Sequence, residues 1–224
     1  MEWNESNFDI DRNPFAKEAY KAGMFAFVAD YARLCVLTEY GGIYLDTDVE
    51  ILKSPDPFLH HPAFMGFENQ MRLQTALIAS EKNGVWVSEI LKYYDGRHFL
   101  DQSGKPDIKP NTEIITEIML EKGLQLNNKL QEIQGVITVY PKDYFCPKDY
   151  RTEKIKLTEN SYALHHFAQS WKDRESVVAR FIRKHPAIDR GIVSFNALLK
   201  KIFGPKWQVI TTKIRHSLGL ATKK

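Results

Sequence analysis

Asp46 and Asp48, one residue apart in the run Y-G-G-I-Y-L-D-T-D-V-E (Tyr40 to Glu50), are the first side chains in this sequence whose spacing could do chemistry. Two carboxylates at one spot repel each other. Burying them unpaired costs several kcal/mol or forces one to keep its proton. A divalent cation removes the conflict, and hard oxygen ligands suit Mg²⁺ or Mn²⁺, ions that commonly bridge carboxylates to a diphosphate. The plainer reading of a bare D-x-D is a solvated polar turn, so the surrounding residues must decide.

Three further sets stand out. Asp30 and Arg33 are three residues apart in a helical pattern, where they share a face as a surface ion pair or, among apolar neighbours, line a pocket with Arg33 holding Asp30. The run H-H-F-A-Q-S-W (His165 to Trp171) offers an imidazole to an ion held by Asp46 or Asp48. Only one of the two histidines can face that ion, because neighbours on a strand point to opposite sides. Gln74, a polar residue entering an apolar run, is a weak catalytic candidate against the alternative of a satisfied sheet edge.

The elements that must position these groups follow from periodicity. Asn13-Pro14 opens a helix over about Phe15 to Ala22, and Phe27, Val28, Tyr31, Leu34, Cys35 and Leu37 recur at helical spacing from Met24 to Tyr40. Gly41 and Gly42 stop that helix, and Ile43, Tyr44 and Leu45 form a short buried strand. Strand alternation then turns Asp46 and Asp48 to one side and Thr47 to the other. Further strands are expected over Ala63 to Phe67, Thr75 to Ala79, Val136 to Tyr140 and Ser161 to Leu164. Helices are expected over Val85 to Tyr94 and after Pro110, the second capped by Asn111 or Thr112 and ended by Gly123, with a flexible loop from Gly96 to Lys109 between them.

Length and composition set the frame. The 224 residues, 43% hydrophobic and 26% charged, suffice for one domain and a tail. A net charge of +3 without a recognisable binding module points away from nucleic acid. Cys35 and Cys146 suggest neither a disulfide framework nor a zinc site, in keeping with a reducing, cytoplasmic setting. The opening M-E-W-N-E-S-N-F-D-I-D is too polar for a signal peptide, and no apolar run is long enough to span a membrane. Past His185-Pro186 the chain is basic and amphipathic, with Lys200, Lys201, Lys206, Lys213 and Arg215 among apolar residues. Such a tail suits peripheral contact with an anionic membrane, here the cytoplasmic face of an inner membrane, or a solvated terminus.

The run F-V-A-D-Y-A-R-L-C-V-L-T-E-Y-G-G-I-Y-L-D-T-D-V-E resembles the signature of a glycosyltransferase group with a sugar-binding D-x-D motif. That group includes the yeast initiating mannosyltransferase, bacterial capsular polysaccharide transferases and the glycosylating clostridial toxins. Weaker likeness extends through G-F-E (Gly66 to Glu68), the helix after Pro110 and H-H-F-A-Q-S-W, so it covers roughly Glu2 to Lys184. The resemblance implies an α/β fold of GT-A type, Rossmann-like, with a mixed sheet flanked by helices over 1–184 and the basic tail over 185–224. It implies a nucleotide-diphosphate-sugar donor, Mn²⁺ or Mg²⁺, a saccharide or glycolipid acceptor, and transfer with retention in bacterial surface polysaccharide synthesis. By position, Asp30, Arg33, Asp46, Ser170 and Trp171 match donor contacts, and Asp46, Asp48 and His165 match metal ligands.

Two departures accompany it. Members usually begin with a P-K-I-I-H-Y-I-W-like strand and a helix leading into the W-N-E-S-N found here at Trp3 to Asn7, so the expected fold lacks its first βα unit. Gln169 also stands where glycine is common. The alternatives are a truncated, non-catalytic sugar-binding remnant and a haloacid-dehalogenase-like phosphatase with Asp46 as nucleophile. An EF-hand calcium loop fails, because Ile51 stands where its glycine must be and Pro57 where its glutamate must be.

Overall fold

The computed structural model describes residues 1–168. Gln169, Ser170 and Trp171, the limit at 184 and the basic segment 185–224 lie outside the described residues. Met1–Asp149 and residues 155–168 belong to one compact unit, treated below, and Tyr150–Lys154 fall in another.

Helix α1 (Pro14–Lys21) starts where expected, with Asn13 Oδ1 accepting from the Phe15 and Ala16 amides and Pro14 at the first helical position. Helix α2 (Phe25–Tyr40) ends at Gly41, whose N–H donates to Leu37 O. The strands are β1 (Gly42–Leu45), β2 (Val49–Ile51), β3 (Ala63–Asn69), β4 (Arg72–Leu73) and β5 (Leu77–Ser80). After helices α3 (Val85–Lys92) and α4 (Asn111–Glu121) come β6 (Gln131–Ile133), β7 (Ile137–Tyr140), the single turn α5 (Lys142–Phe145) and β8 (Ala163–His165).

The main sheet is mixed, in the order β1-β5-β3-β7-β6 with β4 on β3. β1 is antiparallel to β5 and β5 to β3, while β3 runs parallel to β7, so β1, β3 and β7 all end at the same edge. Alternation sorts their side chains. Met65, Phe67, Ile78 and Val139 join the core beneath the helices, with Leu34, Trp86, Ile90 and Ile115. Phe64, Leu77, Ala79 and Tyr140 face a second cluster containing Phe58, Phe145 and Ala163. With both faces covered, β3 is buried from Ala63 to Phe67, as its continuous apolar run requires.

Several expectations change. β1 is not buried: among the described residues it pairs with β5 alone, and Gly42 and Leu45 are exposed. Asp46 to Asp48 form a turn, closed by Val49 N–H donating to Asp46 O, so strand alternation is not what brings the carboxylates together. β5 starts at Leu77 rather than Thr75. α4 begins at Asn111 after Pro110 with no side-chain cap. The 96–109 loop is tethered, because the Glu18 carboxylate accepts from the Phe99 and Leu100 amides and from the His98 ring.

Gly41 sits at φ +69° and ψ −168°, a region essentially closed to other residues, and a Cβ there would lie 2.6 Å from the Lys82 amide nitrogen. Gly42, at φ +99°, has open space where its Cβ would go. Urea unfolding is therefore expected to show Gly41→Ala destabilised by at least about 2 kcal/mol, and Gly42→Ala by only about 1–2 kcal/mol of backbone strain. Equal losses would mean that the close approach to Lys82 carries no weight.

Candidate metal centre

The site lies where β1 ends. In an open α/β sheet this edge, beyond the carboxyl ends of the strands, is where ligands are commonly bound. Helix α2 delivers Asp30 and Arg33 on one face, and the pair is buried rather than superficial: Arg33 Nη2 lies 3.1 Å from Asp30 Oδ1, with the two side chains 6% and 15% exposed. The same nitrogen is 3.5 Å from Asp46 Oδ1. Arg33 Nη1 donates to Thr75 O at 2.7 Å and Nε to Ala29 O at 3.2 Å, while the guanidinium lies 4.9 Å from the centre of the Tyr44 ring. Burial alone would lower the Arg33 pKa, but Asp46, Tyr44 and Asp30 outweigh it and hold the group charged.

Asp46 is fixed at both ends. Its N–H donates to Ala76 O at 2.8 Å, and its Oδ1 accepts from the Tyr44 hydroxyl at 2.8 Å. Burial first, and Asp46 as acceptor, keep that hydroxyl protonated. Tyr44 is the site residue that an apolar-run reading hides. It stands two residues before Asp46 in sequence, the spacing that puts side chains on one face of a strand, and that was the available signal.

Asp48 is held by the far end of the described chain. β2 and β8 form a separate two-stranded ribbon pairing Val49 with His165, Glu50 with Leu164 and Ile51 with Ala163. Beyond it the His166 amide donates to Asp48 O at 2.9 Å, and the Ala168 amide to Asp48 Oδ2 at 2.7 Å. His165 Nε2 thereby comes 3.4 Å from Asp48 Oδ1, while His166 turns away to meet Glu50 Oε2 at 2.9 Å.

Asp46, Asp48 and His165 each offer a ligand atom within 4.8 Å of the others. Burial lowers the His165 pKa against the opposing pull of Asp48 and Asp46, which favours a neutral imidazole, and its Nδ1 is buried with no hydrogen-bond partner among the described residues. Two carboxylates and a neutral imidazole suit a divalent cation such as Mn²⁺ or Mg²⁺.

Gln74 takes another part. Its Nε2 donates to Leu77 O at 2.7 Å, and its Oε1 accepts from the Leu77 amide at 3.1 Å. Each end of its amide is thus engaged by Leu77. It stiffens the bend whose Thr75 and Ala76 carbonyls hold Arg33 and Asp46.

Asp30 is an electrostatic outlier. Burial, reinforced by the nearby Asp46 charge and opposed by Arg33 and by hydrogen bonds from Asn111, pushes its pKa up to about 6. A carboxyl that binds its proton more tightly when folded favours the folded state below the unfolded pKa of about 4, and that advantage is lost as pH rises through 6. In EDTA, the unfolding free energy is expected to fall by about 2–3 kcal/mol more between pH 4 and pH 8 in the wild type than in Asp30→Asn. Parallel profiles would refute the assignment.

A cavity of about 690 Å³ runs from Arg33, Tyr44 and Thr47 along α2, past Val28 and Ala32, to Trp3 and Tyr40. The last two rings lie 5.2 Å apart.

Residues 1–65 match the model of a family described as the glycosyltransferase sugar-binding region containing the DXD motif. The chain is also similar to glucan organizing enzyme 1 of Cryptococcus neoformans var. grubii, at 32% identity over 81 residues, covering 32% of this chain and 22% of the relative. A shorter stretch is similar to inositol phosphoceramide mannosyltransferase 3 of Schizosaccharomyces pombe, at 51% identity over 37 residues, 16% of this chain and 10% of the relative. The chain thus spans about a fifth and a tenth of the length of these relatives. No solved structure matches.

Proposed function

We propose that this chain is a metal-dependent glycosyltransferase of GT-A type. It would move a sugar, with retention of configuration, from a nucleotide-diphosphate-sugar to a hydroxyl of a saccharide or glycolipid. The observation that carries the reading is the convergence of Asp46, Asp48 and His165 beside the buried Asp30–Arg33 pair, with both aspartates of the D-x-D inside the stretch matched by the family model.

Asp46, Asp48 and His165 would hold the ion. When bound, such an ion neutralises charge developing on a departing nucleoside diphosphate without proton transfer. Arg33 stays cationic and keeps Asp46 in place, so the carboxylates are arranged before donor binds. Asp30, ionised above pH 6, accepts hydroxyl hydrogens of the donor, and the cavity beside Arg33 and Tyr44 receives the nucleoside. No described side chain is assigned as nucleophile.

The clamp of Arg33 and Tyr44 on Asp46 speaks against the phosphatase alternative, in which that carboxylate must be free to attack phosphorus. The name of the fission-yeast relative favours a glycolipid acceptor, and both relatives are fungal, so the bacterial surface-polysaccharide setting rests on the resemblance alone. The proposed location is cytoplasmic, with peripheral membrane contact through 185–224.

The test incubates the full chain with GDP-mannose, UDP-glucose or UDP-galactose, with Mn²⁺ or with EDTA, and measures nucleoside diphosphate release. Metal-dependent release from one donor is expected. Hydrolysis of p-nitrophenyl phosphate alone would sink the proposal, and donor binding without turnover would identify a sugar-binding remnant.

A further inference from the structure

The β2–β8 ribbon ends in an incomplete pairing. Its register sets Asp48 opposite His166, one step beyond Val49 and His165, and hydrogen-bonded residues so placed in an antiparallel ladder exchange two main-chain bonds. Only half of that exchange is made here. The His166 amide donates to Asp48 O at 2.9 Å, but among the described residues no bond returns from the Asp48 amide, and His166 O accepts instead from the Lys148 ammonium at 2.5 Å. A side chain has taken the place of the last rung.

Ordering a lysine costs more rotamer freedom than ordering almost any other side chain. The anchor for this one is prepared. Lys148 pairs with Ile155 across an isolated bridge, Pro147 O accepts from the Lys156 amide at 3.1 Å, and the buried Cys146 donates its N–H to Lys142 O at 2.9 Å. A hydrogen bond from a charged donor is about twice as strong as a neutral one, so His166 O is held more firmly than a ladder amide would hold it.

The clamped residue lies in the segment that closes the candidate metal centre. His165 immediately precedes it, with Nε2 3.4 Å from Asp48 Oδ1, and two residues beyond it the Ala168 amide reaches Asp48 Oδ2 at 2.7 Å. Slack at His166 therefore lets the imidazole and Asp48 separate.

We propose that Lys148 is a positioning residue for the metal centre, its ammonium completing the β2–β8 ladder so that His165 and Asp48 are set for one ion before the ion arrives. This rests on the metal-centre reading and adds a residue that acts through the main chain of His166. Sign separates position from charge. A nearby positive charge repels a divalent cation, so a lysine acting through charge alone would weaken metal binding. A lysine acting through position strengthens it, as the partners that orient metal ligands do.

The experiment titrates Mn²⁺ into the full chain as wild type, Lys148→Met and Lys148→Arg, following the free ion by electron paramagnetic resonance, and records amide hydrogen exchange of the same proteins in EDTA. Lys148→Met is expected to bind Mn²⁺ at least about tenfold more weakly. Its His166 and Ala168 amides should exchange about tenfold faster without metal, while β3 and β7 keep wild-type rates. Lys148→Arg, which can still donate to His166 O, should recover most of both. Mn²⁺ binding that is unchanged or tightened in Lys148→Met overturns the inference, and so does faster exchange spread evenly through β3 and β7, which marks general loosening. Should the methionine variant not fold, Lys148→Gln supplies the same two readings. A wild type that binds no Mn²⁺ removes the metal-centre reading and this inference together, whereas a Lys148→Met protein that binds it as the wild type does removes this inference alone.

Discussion

Asp48→Asn is expected to lower sugar transfer by about 10²–10³-fold at saturating donor and to abolish Mn²⁺ binding, while leaving thermal stability unchanged or slightly raised. The catalytic loss is of the size seen when one preorganised electrostatic contact to developing charge is removed. The asymmetry with stability follows from the surroundings. Among the described residues Asp48 Oδ2 accepts the Ala168 amide alone and Oδ1 meets His165 at 3.4 Å, with the side chain 22% exposed, so no buried cation among them is left unpaired. In the metal-free protein the substitution also removes repulsion with Asp46. The check is kcat/KM across a Mn²⁺ titration alongside a melting curve in EDTA. Activity above a tenth of wild type at every Mn²⁺ concentration would count against a metal at this site.

Arg33→Ala should do the opposite to stability. Removing the guanidinium leaves Asp30 ionised in a buried place and strips Thr75 O and Ala29 O of a donor, and breaking such a buried pair from one side costs about 3–5 kcal/mol. Urea denaturation at pH 8 reads this directly. The double variant Arg33→Ala with Asp30→Asn should recover part of the loss, because the stranded charge disappears with its partner. Arg33→Lys should unfold less readily than Arg33→Ala yet transfer sugar almost as poorly, since one ammonium cannot reproduce the fork that joins Asp30, Asp46 and Thr75. A double variant no more stable than Arg33→Ala alone would show that the pair is not electrostatically coupled.

Much of this arrangement was legible in the sequence because it is local. Helix α2 carries a 3.6-residue apolar pattern, and Asp30 and Arg33 share a face by that geometry alone. The apolar run of β3 and the glycine stop after Tyr40 are equally local signals. What escaped depends on partners distant in sequence. The exposure of β1 reflects which strands lie beside it, a property of the sheet order. The carboxylates converge through a turn and through the pairing of β2 with β8, so the periodicity of Tyr40 to Glu50 suggested the right neighbours by the wrong geometry. Gln74 and Asn111 show the same limit: each is polar in an apolar setting, and only the fold reveals that one is satisfied by Leu77 while the other keeps an acceptor open. β6 and α5, of three and four residues, are too short for a periodic signal.

The β2–β8 ribbon has a consequence for how the molecule is made. It joins residues such as Glu50 and His166, 116 positions apart, through only three paired residues on each strand. During synthesis Asp46 and Asp48 leave the ribosome long before His165. For that interval they form an acidic knuckle with no third ligand, and the closure entropy of a long loop must be met by a very short ladder. An ion captured by all three side chains would act as a clasp on that loop, so divalent metal should slow proteolysis between residues 155 and 168 more than elsewhere. The protein's readiness for catalysis and the seating of its last described strand then become one equilibrium.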